Sequence, residues 1–396
     1  MVHNTKDTSR RDILKAAGTA AATTGLMGMA SASEGNTVEV NVGFTGKSGR
    51  RAAASAATKV TREFVFDAMT IEVNENAIQG LQKRGDVRYV EANGTMQALA
   101  PKGGNGGGGG TTAAQQLPWG VDRVDAEVAH ANGYTGAGAD IAILDTGIDS
   151  DHPDLVDNLG AGKAFVNAKG KYAENWDDDN DHGTHCAGSA GAVNNAEGVV
   201  GVSTEATLHA VKVLDKRGSG SYSDIAAGVE YTADQGWDVG SMSLGGSSSA
   251  QVLRDACQYA VDNGTFLVAA AGNSGPCTDC VGYPAAYDTV MAVGSTTSSD
   301  GLSSFSSTGP EVEIAAPGSN IYSTIPGGSY DTFSGTSMAT PHVAGAAGLL
   351  AATGSSNTQI RSQLTSTAED IGLASNESGS GLLDAAAAVG VDSSDN

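Results

Sequence analysis

Basic residues are scarce in this 396-residue chain: 22 Lys and Arg stand against 45 Asp and Glu, a formal net charge of -23. The deficit is uneven. Residues 1–112 carry 13 of the basic and 10 of the acidic residues, which leaves 9 basic against 35 acidic in residues 113–396. A surface without a basic footprint excludes nucleic acid and anionic membrane as partners. No apolar run of membrane-spanning length follows the N-terminal region, so the mature form is expected to be soluble and free of membrane. Zinc-ligand spacing is missing too, since His182-Gly183-Thr184-His185 lacks the Glu of a zinc-protease helix. There is no GxSxG elbow, which removes the α/β-hydrolase esterases. The acidity itself has two readings, ordinary solubility or adaptation to high salt, where counterions screen self-repulsion. Salt adaptation is favoured, because disorder, the other common source of acidity, does not fit so many strand-like apolar runs.

What is present begins with an address. Arg10-Arg11 precede the weakly apolar stretch Ala16 to Met29 and the small residues Ala30-Ser31-Ala32, the layout of a signal peptide over residues 1–32 of the twin-arginine kind, which exports folded protein. Residues 33–102 then change character. Val38 to Val42, Met69 to Val73 and Val87 to Glu91 predict strands, and Ala77 to Lys83 a short helix, giving a small α+β unit. Residues 103–113 are rich in glycine and cannot pack. They are either a permanent linker or a processing region; signal, small domain, linker and large domain together favour a zymogen.

Residues 114–396 alternate strands and helices. Ile141 to Leu144, Leu208 to Leu214, Ser241 to Leu244, Phe266 to Ala270, Thr289 to Val293 and Val312 to Ala315 predict buried strands, with Ser223 to Gln235 and Ala250 to Asp262 as helices. That pattern predicts an α/β fold, a mostly parallel sheet with helices on both faces, whose sites form at the carboxyl ends of strands. Asp145 ends the first strand, His182 opens a small-residue helical run, and Asn273 follows a strand at a glycine-flanked turn. Gly335-Thr336-Ser337 opens another small-residue helix. Each alone is unremarkable: an Asp or Asn after a strand is usual turn chemistry. A serine hydroxyl is a weak nucleophile unless a base, an orienter and oxyanion donors accompany it.

Taken in order, Asp145, His182, Asn273 and Ser337, each in its own motif, resemble the subtilases, the subtilisin-like serine proteases, over about Gln115 to Val391. Asp, His, Ser is the chain order known from subtilisin itself. The acidity and export signal are most similar to the halophilic archaeal halolysins. The resemblance implies an acyl-enzyme endopeptidase in which Ser337 is the nucleophile, His182 the base, Asp145 its orienter and Asn273 an oxyanion donor. It implies a small N-terminal domain that acts as an intramolecular inhibitor, polypeptide substrates, secretion and a monomer. A catalytically silent relative serving as a binding module has no need of all four residues. Gly218, Ser219 and Gly220, with Ser243, Leu244 and Gly245, match the segments that pair with substrate as strands. Ala270, Ala271 and Gly272 match a wall of a roomy apolar P1 pocket, Tyr222 a more distant one, and broad specificity is expected.

No cofactor is implied for the chemistry, but a structural calcium is. Gln115, Asp154 and Asn195 match side-chain ligands, with backbone oxygens expected from Val193, Glu197 and Val199. Asp154 alone reads equally well as a helix cap. Of the four cysteines, Cys186 and Cys257 read as core thiols. Cys277 and Cys280 lie in one loop of an exported protein, which favours a disulfide over free thiols. Gly240 interrupts an apolar strand where the family carries a bulky aliphatic, predicting a packing gap.

Overall fold

The computed structural model describes residues 37–99 and 114–393. The expected signal peptide and the glycine-rich stretch at 103–113 lie outside the described residues. The chain divides into two compact units: residues 37–94 group with Ala250–Asp255, and residues 95–249 and 256–393 form the larger unit.

The smaller unit is built from β1 (Thr37–Phe44), α1 (Gly46–Ala56), β2 (Ala57–Phe64), β3 (Ala68–Asn74), α2 (Glu75–Gln82) and β4 (Val87–Ala92). Its antiparallel sheet has the order β2-β3-β1-β4. Val40 pairs with Ile71 and Val42 with Met69; all four are buried, with Val73, Leu81 and Val90, in one core. Asn74 caps α2 by accepting the Asn76 N–H, as a short polar side chain does at a helix start. The expected strands and helix stand close to their predicted places. Helix α1 and strand β2 carry no clear apolar period, and most of β2 is exposed.

The larger unit centres on a seven-stranded sheet of order β14-β13-β12-β10-β6-β8-β7. Its strands are β6 (Asp140–Asp145), β7 (Lys163–Ala164), β8 (Thr207–Lys212), β10 (Val239–Met242), β12 (Phe266–Ala270), β13 (Met291–Thr296) and β14 (Val312–Pro317). Every pairing is parallel, which requires crossover connections and burial on both faces. After β6 the chain first adds β8 and β7 on one side, then β10 onward on the other, so β6 ends at the point where the winding reverses. Ligand sites of such sheets form there.

The crossovers include α5 (His182–Gly191), α6 (Tyr222–Asp234) and α7 (Gln251–Asp262), and the short α3 (Trp119–Arg123) and α4 (Ala126–Ala131) precede the sheet. Helix α8 (Thr336–Ala352) is buried from Thr336 to Leu350, so it is apolar all round rather than on one stripe. Helix α9 (Asn357–Thr367) follows it. A second small sheet has the order β11-β5-β9, from β5 (Thr95–Ala98), β9 (Ser219–Ser221) and β11 (Leu244–Gly245). β15 (Ile321–Ile325) and β16 (Ser329–Phe333) form a hairpin.

The packing gap expected at Gly240 is not there. A Cβ at Gly240 would stand 2.7 Å from Leu267 Cδ2 and 3.5 Å from Leu144 Cδ1; larger neighbours fill the space. Among the described residues no helix is long and apolar enough to cross a membrane.

Candidate active site

Asp145 is the last residue of β6 and His182 the first of α5. A Cβ at position 183 would meet the Gly147 carbonyl oxygen at 2.1 Å. Only glycine lets the start of α5 lie so close to the turn after β6. His182 Nδ1 stands 2.8 Å and 3.0 Å from the two Asp145 carboxylate oxygens. Both side chains are buried. Burial opposes charge on the imidazole, but the adjacent Asp145 carboxylate and Cys186 together hold the His182 pKa well above its usual value. His182 Nε2, on the other edge of the ring, is buried without a hydrogen-bond partner.

Ser337 enters from the first turn of α8, where helix N–H groups have no acceptor within the helix. Its hydroxyl lies 3.0 Å from the Ser243 carbonyl and 3.2 Å from the Leu99 carbonyl, and the Ser243 hydroxyl donates to the Ser337 carbonyl at 2.8 Å. Asn273 follows β12. Its Oδ1 accepts the Thr336 N–H at 2.9 Å and the Thr336 hydroxyl at 3.0 Å, which aims its Nδ2 at the Leu99 carbonyl, 3.4 Å away. Ser337 Oγ and Asn273 Nδ2 therefore meet on one carbonyl oxygen.

That carbonyl arrives in an extended segment. Strand β5 is sandwiched antiparallel between β9 and β11: Thr95, Met96 and Gln97 pair with Ser221, Gly220 and Ser219, and Ala98 and Gln97 pair with Leu244 and Gly245. The Ala98 N–H donates to the Gly218 carbonyl at 2.7 Å and the Leu99 N–H to the Ser243 carbonyl at 3.4 Å. Gly218, Ser219, Gly220, Ser243, Leu244 and Gly245 thus line one extended chain on both edges. A methyl at Gly245 would stand 3.5 Å from the Leu99 side chain. Ala270, Ala271 and Gly272 are buried beside Asn273, and Tyr222 is half-buried at the start of α6, directly after β9. Chain 95–99 was not legible as an occupant of the site, because nothing local in Met96-Gln97-Ala98-Leu99 signals it.

Cys186 is closer to the chemistry than a bystander. Its Sγ is 3.9 Å from His182 Nδ1 and 3.5 Å from the Ser337 carbonyl. Burial pushes its pKa up, which keeps the thiol protonated. Cys257 is buried and outside any disulfide, and Cys277 and Cys280 are joined as a disulfide with Cα atoms 6.2 Å apart.

The residues expected around a cation converge as well. Gln115 Nε2 donates to the Val193 and Val199 carbonyls at 2.9 and 3.1 Å. The buried Asp154 carboxylate accepts from Asn195 Nδ2 at 3.1 Å and from the Val199 N–H at 2.8 Å. Asn195 Oδ1 accepts the Glu197 N–H at 2.7 Å, and Ala114 bridges to Glu197. The donor set fits a hard cation: one buried carboxylate met only by neutral groups in these bonds, two carboxamides and backbone carbonyls, all offering oxygen. The two amides would turn their oxygens inward to bind it.

Sequence reasoning missed Asp178, Asp179 and Lys212, which are buried against Thr146 and the start of α5. In the chain they look like part of a solvated acidic run and an apolar strand.

Likeness to known proteins bears on this geometry. The profile of the Subtilase family, Peptidase_S8, matches residues 136–385. Subtilisin amylosacchariticus from Bacillus subtilis subsp. amylosacchariticus is 42% identical over 319 residues, 79% of each chain. Subtilisin from Bacillus pumilus is 45% identical over 279 residues and Subtilisin Savinase from Lederbergia lenta 47% over 277, each covering 69% of this chain and 99% of the relative. A paired Asp and His, a serine at a helix start, an amide sharing its target carbonyl and a parallel sheet all lie within the matched span, and the chain belongs to the subtilase family of serine endopeptidases.

Proposed function

We propose that the protein is an exported, salt-adapted endopeptidase of broad specificity that is made as a self-processing zymogen, and that the first bond it cuts is its own Leu99–Ala100. The observation that carries this reading is the Leu99 carbonyl held between Ser337 Oγ and Asn273 Nδ2 at the end of a paired strand. The bond lies upstream of the glycine-rich stretch where the sequence suggests processing.

In the reaction, Ser337 Oγ turns from the Ser243 carbonyl toward His182 Nε2, gives it the proton and attacks the carbonyl carbon. Asp145 fixes the imidazole tautomer and stabilises the imidazolium. The oxyanion is held by Asn273 Nδ2–H and the Ser337 backbone N–H, at the positive end of α8. Collapse breaks the C–N bond as His182 returns the proton to the leaving amine. Water, deprotonated by His182, then releases the acyl group from Ser337. Specificity is broad because main-chain pairing with β9 and β11 accepts any extended peptide, with Ala270 to Gly272 walling the P1 pocket and Tyr222 bordering a more distant one. Thr95 to Leu99 occupies the same groove, which makes the segment preceding the cut an inhibitor until it leaves.

Gln115, Asp154 and Asn195 with the Val193, Glu197 and Val199 carbonyls would hold a calcium ion, which would stabilise the fold without a part in the chemistry. The Gln116–Val199 and Ala114–Glu197 bridges coexist with Leu99 at Ser337. The disulfide Cys277–Cys280 suits an oxidising destination, and Arg10-Arg11 supports twin-arginine export. Acidity on this scale supports function in high salt, and the protein acts as a monomer.

The test is chain length. Expressed at high salt, the wild-type precursor should shorten with a new N-terminus at Ala100, the Ser337→Ala precursor should stay whole, and Leu99→Asp should delay the cut. A wild type that stays whole sinks the self-processing reading, and one first cut within residues 103–113 sinks the Leu99–Ala100 assignment; casein hydrolysis blocked by a serine-directed reagent checks the peptidase separately.

A further inference from the structure

Among the described residues, Lys212 is the single Lys or Arg that is buried. It ends β8, in register with Asp145 on β6. Its Nζ donates to the Thr146 carbonyl, in the residue after Asp145, and to Asp179 Oδ1 at 2.6 Å. The side chains of Lys212 and Asp179 are both fully buried. The second Asp179 oxygen accepts the Lys169 N–H at 2.6 Å. Next to it, Asp178 spends both oxygens on neutral donors. One accepts the Thr146 hydroxyl at 2.9 Å and the Asn180 and Asp181 N–H groups at 2.9 and 3.2 Å. The other accepts the Thr184 N–H and hydroxyl at 2.9 and 2.7 Å. Thr146 Oγ1 in turn accepts the Gly183 N–H at 2.8 Å. The Thr146 bonds to Asp178 and Gly183, and Lys212 through Thr146 and Asp179, join the strand end that carries Asp145 to the loop and helix start that carry His182; the remaining bonds fix that loop on itself.

We propose that Lys212, Asp178 and Asp179 are positioning residues of the peptidase reaction: they clamp the Asp145 strand end to the His182 helix start, and the Lys212–Asp179 pair adds no net charge there. The proposal rests on Asp145 and His182 being orienter and base. The physical case is that a buried ion pair contributes little net stability and is costly when half of it is removed, while a small displacement of an orienter costs rate. A side chain that only filled space here would be apolar.

The charged and titratable neighbours are few. His182 faces Asp145 and Cys186, with His185 further along α5. Lys212 faces Asp179 and, across the ladder, Asp145. Asp181 directly precedes His182. Asp177 is spent on the Ser150 and Glu174 N–H groups, and Lys163 on β7 lies over the Tyr231 ring. Neutralising one member of the pair therefore changes the charge behind Asp145 and His182 by one unit, of known sign.

The experiment measures kcat, KM and the acid limb of kcat/KM on a chromogenic leucyl peptide anilide, using the processed enzyme. Asp179→Asn leaves a positive charge, disfavours the imidazolium and moves the limb to lower pH. Lys212→Met leaves a negative charge and moves it up. Each shift is about half a pH unit, roughly 3-fold in kcat/KM on the limb. The double variant should return the limb to its wild-type position with kcat about 10-fold lower and KM unchanged; Asp178→Asn should lower kcat similarly at unchanged KM. Limbs that stay put, or that move the same way in both single variants, overturn the proposal. If a lone buried charge prevents folding, the double variant, which has none, decides: wild-type kcat there overturns it. A wild-type enzyme indifferent to Ser337→Ala would instead overturn the underlying assignment of the triad.

Discussion

The sharpest quantitative test of the oxyanion site is a methyl group at Gly335. Its φ of 167° is extended backbone that alanine adopts without strain, so the residue is not glycine for conformational reasons. A Cβ there would stand 3.2 Å from Asn273 Nδ2, 3.6 Å from Met338 Sδ and 3.6 Å from the Ser337 nitrogen. Only the first contact is tight. Asn273 cannot swing clear, because Thr336 anchors its Oδ1 through two hydrogen bonds; Nδ2 must tilt by a few tenths of an ångström. It already sits 3.4 Å from the Leu99 carbonyl, at the long end of a useful hydrogen bond. Losing the donor altogether, as in Asn273→Ala, costs about 10²–10³ in kcat, a range established on subtilisin itself. Gly335→Ala should forfeit part of that, about 10-fold in kcat, with KM within about 2-fold and thermal stability within a few degrees. Steady-state kinetics on a peptide anilide, run as a cycle with Asn273→Ala, separates the mechanism from general damage. The methyl acts through Asn273, so adding it to Asn273→Ala should cost almost nothing further. A full 10-fold loss on the Asn273→Ala background, or a wild-type kcat in Gly335→Ala, refutes the reasoning.

Other expectations follow from the same geometry. Asp145→Asn should cut kcat by about 10⁴ and move the residual acid limb of kcat/KM to lower pH, because the carboxylate that raises the His182 pKa is gone; a limb moving upward contradicts it. His342 is held neutral by burial, its pKa pushed down to about 4. The unfolded chain therefore takes up a proton below pH ~6.5 that the folded one refuses, and stability falls by about 1.4 kcal/mol per pH unit between there and pH ~4. The difference between wild type and His342→Gln in urea unfolding should shrink by that slope as pH drops, and a pH-independent difference would count against it. Chelation should lower the melting temperature of the wild type and leave Asp154→Ala, already lowered, nearly unchanged; equal sensitivity in both would remove the metal from that loop.

Chain order made Asp145, His182, Asn273 and Ser337 legible because each sits in a local motif at an element boundary, where the backbone alone decides which way the side chain points. The parallel sheet was legible for a related reason: strands buried on both faces are continuous apolar runs. Strand β2 was not, since Thr58, Lys59, Val60 and Thr61 are all exposed and no face of it needs apolar residues. Leu99 at the nucleophile depends on pairing between residues more than a hundred positions apart, and Asp178 shows the same limit from inside the core. Its neighbours Asp177, Asp179 and Asp181 give it the look of a solvated run. What distinguishes it is the set of N–H and O–H groups that the fold turns toward it.

That distinction changes what the acidity can mean. Seven aspartates, 125, 145, 149, 154, 177, 178 and 179, are buried among the described residues. Dissolved ions cannot reach them, so their interactions are screened far less than those between exposed charges. Any dependence on salt must come from exposed carboxylates such as Asp157, Glu174, Asp262 and Asp288, whose mutual repulsion is cut off beyond about 3 Å at 1 M salt and extends over about 10 Å at 0.1 M. Changing these four to their amides should lower the salt concentration at which half the activity survives dilution, by about 2-fold or more if long-range repulsion is the cause. Asp178→Asn should leave that midpoint where it is while lowering kcat. The two classes of variant are compared by residual peptidase activity after dialysis across a salt series. A midpoint that moves with Asp178→Asn but not with the four surface changes would place the salt requirement in the buried clamp, and adaptation through the surface would be wrong.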